Sequence, residues 1–506
     1  MMATAQCDAP KAQQAASSES GSDIAGLGGD AMRQGKQQTI TLAELPYERA
    51  VRHRFQGFCD TDAPALSAWR REAFARFERL GMPTRRSEAW KAFNLRTLLN
   101  QAVQPMADVP VAAITEDIAA YFPVAAADAL RLTFINGRYQ ANLSSANLES
   151  HGLYVESLAD VLKSEANSPQ QVALFQQLST ALAQEEDVFA ALTATLLESG
   201  VCIRVAEGVT VAAPVQALFL TTPAVYANAA PVATYLANIV ALEPNAKLNL
   251  FIQHRCLHTD GVTSETPYIN HSLNTVSLAQ GASLDLTVLL DEAPLAFHLA
   301  ATRAELAQDA SLNLTTVALG DSTARHAINT QLLGERTSVT LNGLDVLKGR
   351  GASHHHIVMG HQAPNAESDQ FYKAVLDDAA QSSFNGLVFV AVGADGTDSK
   401  QLNKNLLLSN EARAWTRPQL QINADDVKCA HGATVGSLEP DQLFYLASRG
   451  FDRALAQSLL TFGFAEEVID RVNNVDVRRY LAQQALDTLQ EAANPLRQEL
   501  KGNGVL

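Results

Sequence analysis

Gln280-Gly281-Ala282-Ser283-Leu284 and Gln308-Asp309-Ala310-Ser311-Leu312 share one order of residue types: a turn, a small residue, then the start of a β-prone run. Degenerate copies stand at Pro244-Asn245-Ala246-Lys247-Leu248, Glu335-Arg336-Thr337-Ser338-Val339, Arg350-Gly351-Ala352-Ser353-His354 and Asp378-Ala379-Ala380-Gln381-Ser382. Measured at the small residue the steps are 36, 28, 27, 15 and 28 residues, a loose period with one half step. A β-sandwich spaces its turns about 8 to 12 residues apart. Stacked strand-and-turn rungs give a longer, irregular period of this kind. Short Val, Leu, Ile and Thr runs broken by Gly, Asn, Asp and Ala fill the chain from Val201 onward. We therefore read residues 201–437 as a parallel β-helix (solenoid) core and the fold class as mainly β.

Upstream, residues 41–200 are mostly helical. In Pro64–Leu80 the apolar residues Leu66, Trp69, Ala73, Phe77 and Leu80 recur at three- and four-residue steps before Gly81, which predicts an amphipathic helix with a glycine stop. Asn136-Gly137 inside Leu130–Asn142 predicts a hairpin, so strands begin near 130–142. Pro83–Lys91 reads as a solvated helix start with Trp90 as a packing anchor. The Glu185-Glu186-Asp187 run reads as a polar loop or helix start rather than a catalytic pair, because no convergent partner is visible. Residues 1–40, rich in Ala, Gln, Ser, Gly and Asp, read as a disordered tail that contains Cys7.

Downstream, the strands stop after Gly436. Glu439-Pro440 opens the first of several helices, and residues 438–506 form a C-terminal helical domain. At the junction, Ala424–Gly436 carries Cys429 and His431. An extended chain places these two side chains on one face, as a ligand or relay pair, with Cys429 alternatively a small core residue. His354-His355-His356 with His361 is the densest imidazole cluster, but in a strand only His354 and His356 share a face. Two ligands do not make a metal site. Cys256 between His254 and His258 repeats the same geometry in a segment that reads as a solvated edge of a rung.

Composition narrows the function. The 506 residues carry 54 acidic against 38 basic side chains, a formal charge of −16, and no long Lys/Arg run, which argues against nucleic acid. Five dispersed cysteines without a C-x-x-C pair fit neither a disulfide framework nor a closed zinc site, and suit a reducing cytoplasm. No apolar run is long enough to span a bilayer, so no membrane role is expected. The phosphate-binding loop G-x-x-x-x-G-K-[ST] is missing, so no nucleotide is expected to bind directly.

Ser368-Asp369-Gln370-Phe371-Tyr372-Lys373, Phe384-Asn385-Gly386, Gln401 to Ser409 (QLNKNLLLS), Ala424 to Cys429 with His431-Gly432-Ala433-Thr434, and Leu443-Phe444-Tyr445-Leu446 with Ser448-Arg449-Gly450 carry a resemblance. So do Pro83–Lys91, as P-x-R-x-x-E-x-W, and Phe134 to Arg138 (FINGR). Over about residues 80–470 the chain resembles the SufB/SufD family of scaffold subunits of the SUF iron–sulfur cluster assembly system. It is closer to the SufD branch, since SufB-like chains carry H-E-A-T-[ST] where this chain has His431-Gly432-Ala433-Thr434. The resemblance implies a right-handed parallel β-helix between N- and C-terminal helical domains, and a non-catalytic subunit. It also implies a complex, with SufB meeting the β-helix edge and a SufC ATPase meeting the C-terminal helices. A nascent iron–sulfur cluster would be held transiently and shared with SufB. His431 falls on the family's functional histidine and would be a transient metal ligand, with Cys429 nearby. Nothing is implied for residues 1–40 or for His354–His356. The alternative is a β-helix enzyme acting on polysaccharide, which should be secreted and rich in exposed aromatics; aromatics are only 6% here.

Overall fold

The structure, a computed structural model, describes residues 45–489 apart from 85–86, 88–89, 94, 101–102, 106–116, 126–128, 146–148, 151, 164–175, 179–184, 223–230 and 258–266. The expected tail at 1–40, Cys7 and His258 lie outside the described residues. From Ser199 to Gly436 the chain climbs a parallel solenoid with two sheets. Strands 199–205, 232–242, 268–278, 297–306, 323–332, 352–361, 381–390 and 413–422 stack in one sheet. Strands 215–221, 247–256, 283–291, 311–320, 338–347, 367–376, 397–407 and 427–436 stack in the other. Leu130–Ile135 adds a parallel strand beside Val215–Thr221, and Asn136-Gly137 turns it into Arg138–Tyr139.

The repeat is the entrance corner of the second sheet. Ala246, Ala282, Ala310 and Thr337 are all buried, and each follows a residue of positive φ: Asn245 (59°), Gly281 (68°), Asp309 (60°) and Arg336 (55°). The left-handed backbone turns the chain inward, and only a small side chain fits behind it. These corners are tied rung to rung: the amides of Asn245, Gly281 and Asp309 donate to the carbonyls of Gln280, Gln308 and Glu335 at 2.8, 2.9 and 2.9 Å. A Cβ on Gly281 would come within 2.4 Å of Asn245 Oδ1, so a side chain here would require the Asn245 amide to move. Asn365-Ala366 and Gly396-Thr397 continue the series. The half step arises because Ala352 opens a strand of the opposite sheet.

Alternation then sets two faces per strand. Leu248, Leu250 and Ile252 with their equivalents Leu284, Leu286 and Val288 fill the space between the sheets. Phe251, Leu289, Val317, Leu344 and Phe371 face outward from the second sheet. They are covered by helices α2 and α3 of the C-terminal region, Arg453–Ile469 and Val475–Leu489, through Ala465, Val468, Ile469, Val477 and Leu481. The preceding helix α1, Pro440–Ser448, has no buried residue, and its Phe444 and Tyr445 are exposed by 75% and 56%.

The N-terminal helices Pro46–Thr61, Pro64–Leu80 and Val188–Thr195 cover the outer face of the first sheet, with Trp69, Phe77 and Phe189 over Tyr235, Ile239, Ile269 and Leu273. The acidic run is a structural anchor. Asp187 caps helix 188–195 through the Phe189 and Ala190 amides and pairs with buried Arg325 at 2.6 Å, while Glu185 takes Arg303 with both carboxylate oxygens. The Arg325 guanidinium lies 3.7 Å from the Trp90 ring centroid, so Trp90 is the packing anchor its sequence context suggests. No described helix is long and apolar enough to cross a membrane.

Candidate functional site at the open end of the solenoid

The last two strands, Arg413–Ile422 and Val427–Gly436, are paired on one side only, with 381–390 and 397–407. Among the described residues no further rung covers them. Trp415, Ile422 and Val435 are exposed by 44%, 39% and 47%.

Register decides which backbone groups are free. The amide of Asp398 bonds back to Ala366, and Asp398 is aligned with Lys428. In a parallel ladder successive residues bond to opposite sides. The N–H and C=O groups of Cys429, His431, Ala433 and Val435 therefore point to the open edge, while those of Lys428, Ala430 and Gly432 are committed to strand 397–407. On strand 413–422, Arg413 and Asn423 donate back to Ala380 and Val390, so the even-numbered residues, including Pro418, face the edge. Proline is tolerated there because the N–H it lacks had no internal partner.

The side chains of Cys429 and His431 fall in inner columns that change character along the solenoid. The column of Cys429 runs Leu248, Leu284, Leu312, Val339, Ser368, Ser399, Cys429. The column of His431 runs Leu250, Leu286, Leu314, Leu341, Gln370, Gln401, His431. Apolar rungs thus become polar toward the end, with Ser368 bonded to Ser399 at 2.8 Å and Gln401 donating to Gln370 at 3.0 Å. Cys429 is half-buried against the inner core and His431 is exposed. Burial pushes the Cys429 thiol up, the Asp398 carboxylate adds to this, and a hydrogen bond from the Ser399 backbone opposes it. The thiol is thus held protonated and is a poor free nucleophile. Gly432 sits on the opposite face, where an added Cβ would meet only Leu402 Cδ1 at 3.3 Å. It does not open space beside His431.

The histidines of strand 352–361 alternate faces as local spacing predicts. His354 points outward, bonded to Ser383 Oγ at 2.7 Å and edge-on to Phe93. His355 points inward to Asp345, at 3.0 and 3.1 Å, beside Ser353. Asp345 is itself held by Ser382 Oγ. His361 bonds Ser368 at 2.9 Å. His254 and Cys256 are buried rather than on a solvated edge. His254 meets two residues that local spacing could not reveal, Glu292 and His298, one ligating atom of each of the three lying within 4.8 Å of the others.

These features define a solenoid scaffold with an unfinished end that presents a thiol and an imidazole. Comparison with known proteins agrees with that class. Residues 225–464 match the profile described as SUF system FeS cluster assembly, SufBD core domain, and residues 45–217 match the SufBD protein N-terminal region. The chain is 30% identical to the iron–sulfur cluster assembly protein SufD of Escherichia coli K12 over 438 residues, 87% of this chain and 96% of that one. It is 29% identical to an iron–sulfur cluster assembly SufBD family protein of Synechocystis over 400 residues, covering 78% and 84%. The chain belongs to the SufBD family of the SUF iron–sulfur cluster assembly system. That assignment leaves the polysaccharide-acting alternative without support.

Proposed function

We propose that this chain is the SufD-like, non-catalytic subunit of a scaffold complex, working with a SufB-like partner and a SufC-type ATPase in the cytoplasm. The observation that carries the reading is the coincidence, on one unpaired strand, of free backbone groups and metal-ligating side chains at Cys429 and His431. A SufB-like strand added to this edge would bond the backbone at these same residues, so docking and cluster chemistry would share one place. A buried joint would also cover Trp415, Ile422 and Val435. His431 supplies an imidazole nitrogen to the nascent cluster, which is cargo shared with the partner. Cys429 is an auxiliary ligand whose proton leaves when iron binds. Phe444 and Tyr445 on α1, rather than the buried α2 and α3, offer the apolar contact for the ATPase.

His431→Ala tests the assignment. The complex should assemble and its ATPase turn over as in wild type, while iron and sulfide incorporation on the complex stops; Cys429→Ser should slow incorporation less. Incorporation at the wild-type rate in His431→Ala would refute the role given to this imidazole.

A further inference from the structure

His254, Glu292 and His298 meet in the interior of the solenoid, and all three are buried. His298 Nδ1 lies 3.1 Å from Glu292 Oε2. The other carboxylate oxygen accepts from the Asn270 side-chain amide, which also donates to Thr221 Oγ1 at 3.0 Å and is oriented by Thr234 Oγ1 on its oxygen at 2.6 Å. His254 stacks on Phe219, with centroids 4.9 Å apart and planes at 12°, and meets His298 edge to face at 4.5 Å. Its Nδ1 is buried with no hydrogen-bond partner.

We propose that His254, Glu292 and His298 form a binding site for one divalent first-row cation, zinc or ferrous iron, with a fourth position left for water. Two imidazoles and one carboxylate are a donor set these ions take, with ligand bonds of about 2.0–2.2 Å. Such bonds in tetrahedral array separate neighbouring donor atoms by about 3.3 Å, close to the spacing that His298 and Glu292 already hold. Asn270 fixes the carboxylate as an outer-sphere partner does in metal sites. A plain buried His–Glu hydrogen bond accounts for His298 and Glu292 but leaves the buried, unpartnered Nδ1 of His254 unexplained. A metal ion brings it into use and balances the buried carboxylate.

The site is separate from the open end. Strands 247–256 and 427–436 are six pairings apart in the same sheet, about 29 Å at about 4.8 Å per strand. The inference therefore stands or falls independently of the function proposed for Cys429 and His431.

The test uses the full chain, incubated anaerobically with zinc or ferrous salt and desalted. Elemental analysis should find about one equivalent retained, and zinc should raise the thermal midpoint. His254→Phe, which keeps the ring stack, and Glu292→Gln, which keeps the Asn270 contact, should each abolish retention, whereas the Cys429→Ser/His431→Ala double variant should keep it. Retention below about a tenth of an equivalent by wild type, or undiminished retention in the folded His254→Phe and Glu292→Gln chains, overturns the proposal. Cobalt substitution of the Cys429→Ser/His431→Ala double variant keeps the question decidable if either single variant fails to fold. Four-coordinate d–d bands without a thiolate charge-transfer band are expected, and a thiolate band, or six-coordinate cobalt only, overturns it.

Discussion

Acid should unfold this protein well before its carboxylates titrate. Burial lowers His271 and His354 to about 3 and His356 and His361 to about 4, in each case as the leading cause. In the unfolded chain a histidine titrates near 6.5. Below that pH the unfolded state takes up protons that the native state refuses, so stability falls as pH falls and stops falling only near the native values. At pH 5 each withheld proton costs about 2 kcal/mol, about 8 kcal/mol for the four together. That is comparable to the whole stability of a typical domain, about 5–15 kcal/mol. Burial raises the Asp187 and Asp345 carboxyls, but Arg325 and Arg303 facing the first, and His355, Ser382 and Ser353 bonded to the second, hold both below the usual carboxylate range, so their contribution is lost only at still lower pH. The assay is urea denaturation followed by tryptophan fluorescence from about pH 7.5 to about pH 5, with the midpoint falling steeply below about 6.5. His271→Gln retains a polar partner for Tyr47 Oη, now 2.8 Å from Nε2, and should remove about 2 kcal/mol of the loss at pH 5. An unchanged midpoint across this range would refute the account of the buried imidazoles.

Two further outcomes follow from the solenoid end and the C-terminal helices. Val435→Pro removes an N–H from the open edge and should weaken pairing with a SufB-like strand while leaving the urea midpoint nearly unchanged; Gln421→Pro removes an amide that bonds back to strand 381–390 and should lower the unfolding free energy by about 3 kcal/mol, and the midpoint with it. Equal midpoints for the two variants would contradict the register. Deleting Pro440–Ser448 should leave a soluble chain that no longer co-purifies the ATPase. Deleting 453–489 uncovers Phe251, Leu289, Val317, Leu344 and Phe371, removes on the order of 10 kcal/mol of apolar burial, and should precipitate the chain; a soluble product would show that these helices are not needed to cover the sheet.

The solenoid was legible because its corners are local. A residue of positive φ followed by a small buried one leaves a signature within two positions, and Asn245-Ala246, Gly281-Ala282 and Asp309-Ala310 carry it openly. Arg336-Thr337 carries the same corner in less expected residues, yet the 27-residue step still falls on it. The paired placement of Cys429 and His431 was legible for the same reason, since alternation is a property of one strand. What local pattern cannot carry is any relation that runs between strands. His355 reads as one of three adjacent histidines, but its partner Asp345 belongs to the preceding strand of the other sheet. Glu292 follows the end of strand 283–291, and it meets His254 only because the next rung stacks above. Asp345 and His355 lie 10 residues apart within one turn, whereas the distance from His254 to Glu292 is set by rung length, which varies from 26 to 37 residues along this chain, so no fixed spacing marks such contacts. The change of the inner columns from leucine to serine, glutamine, cysteine and histidine has the same origin. It becomes visible only when positions about one rung apart are aligned, and it places the polar interior next to the one end of the solenoid where another chain can complete it.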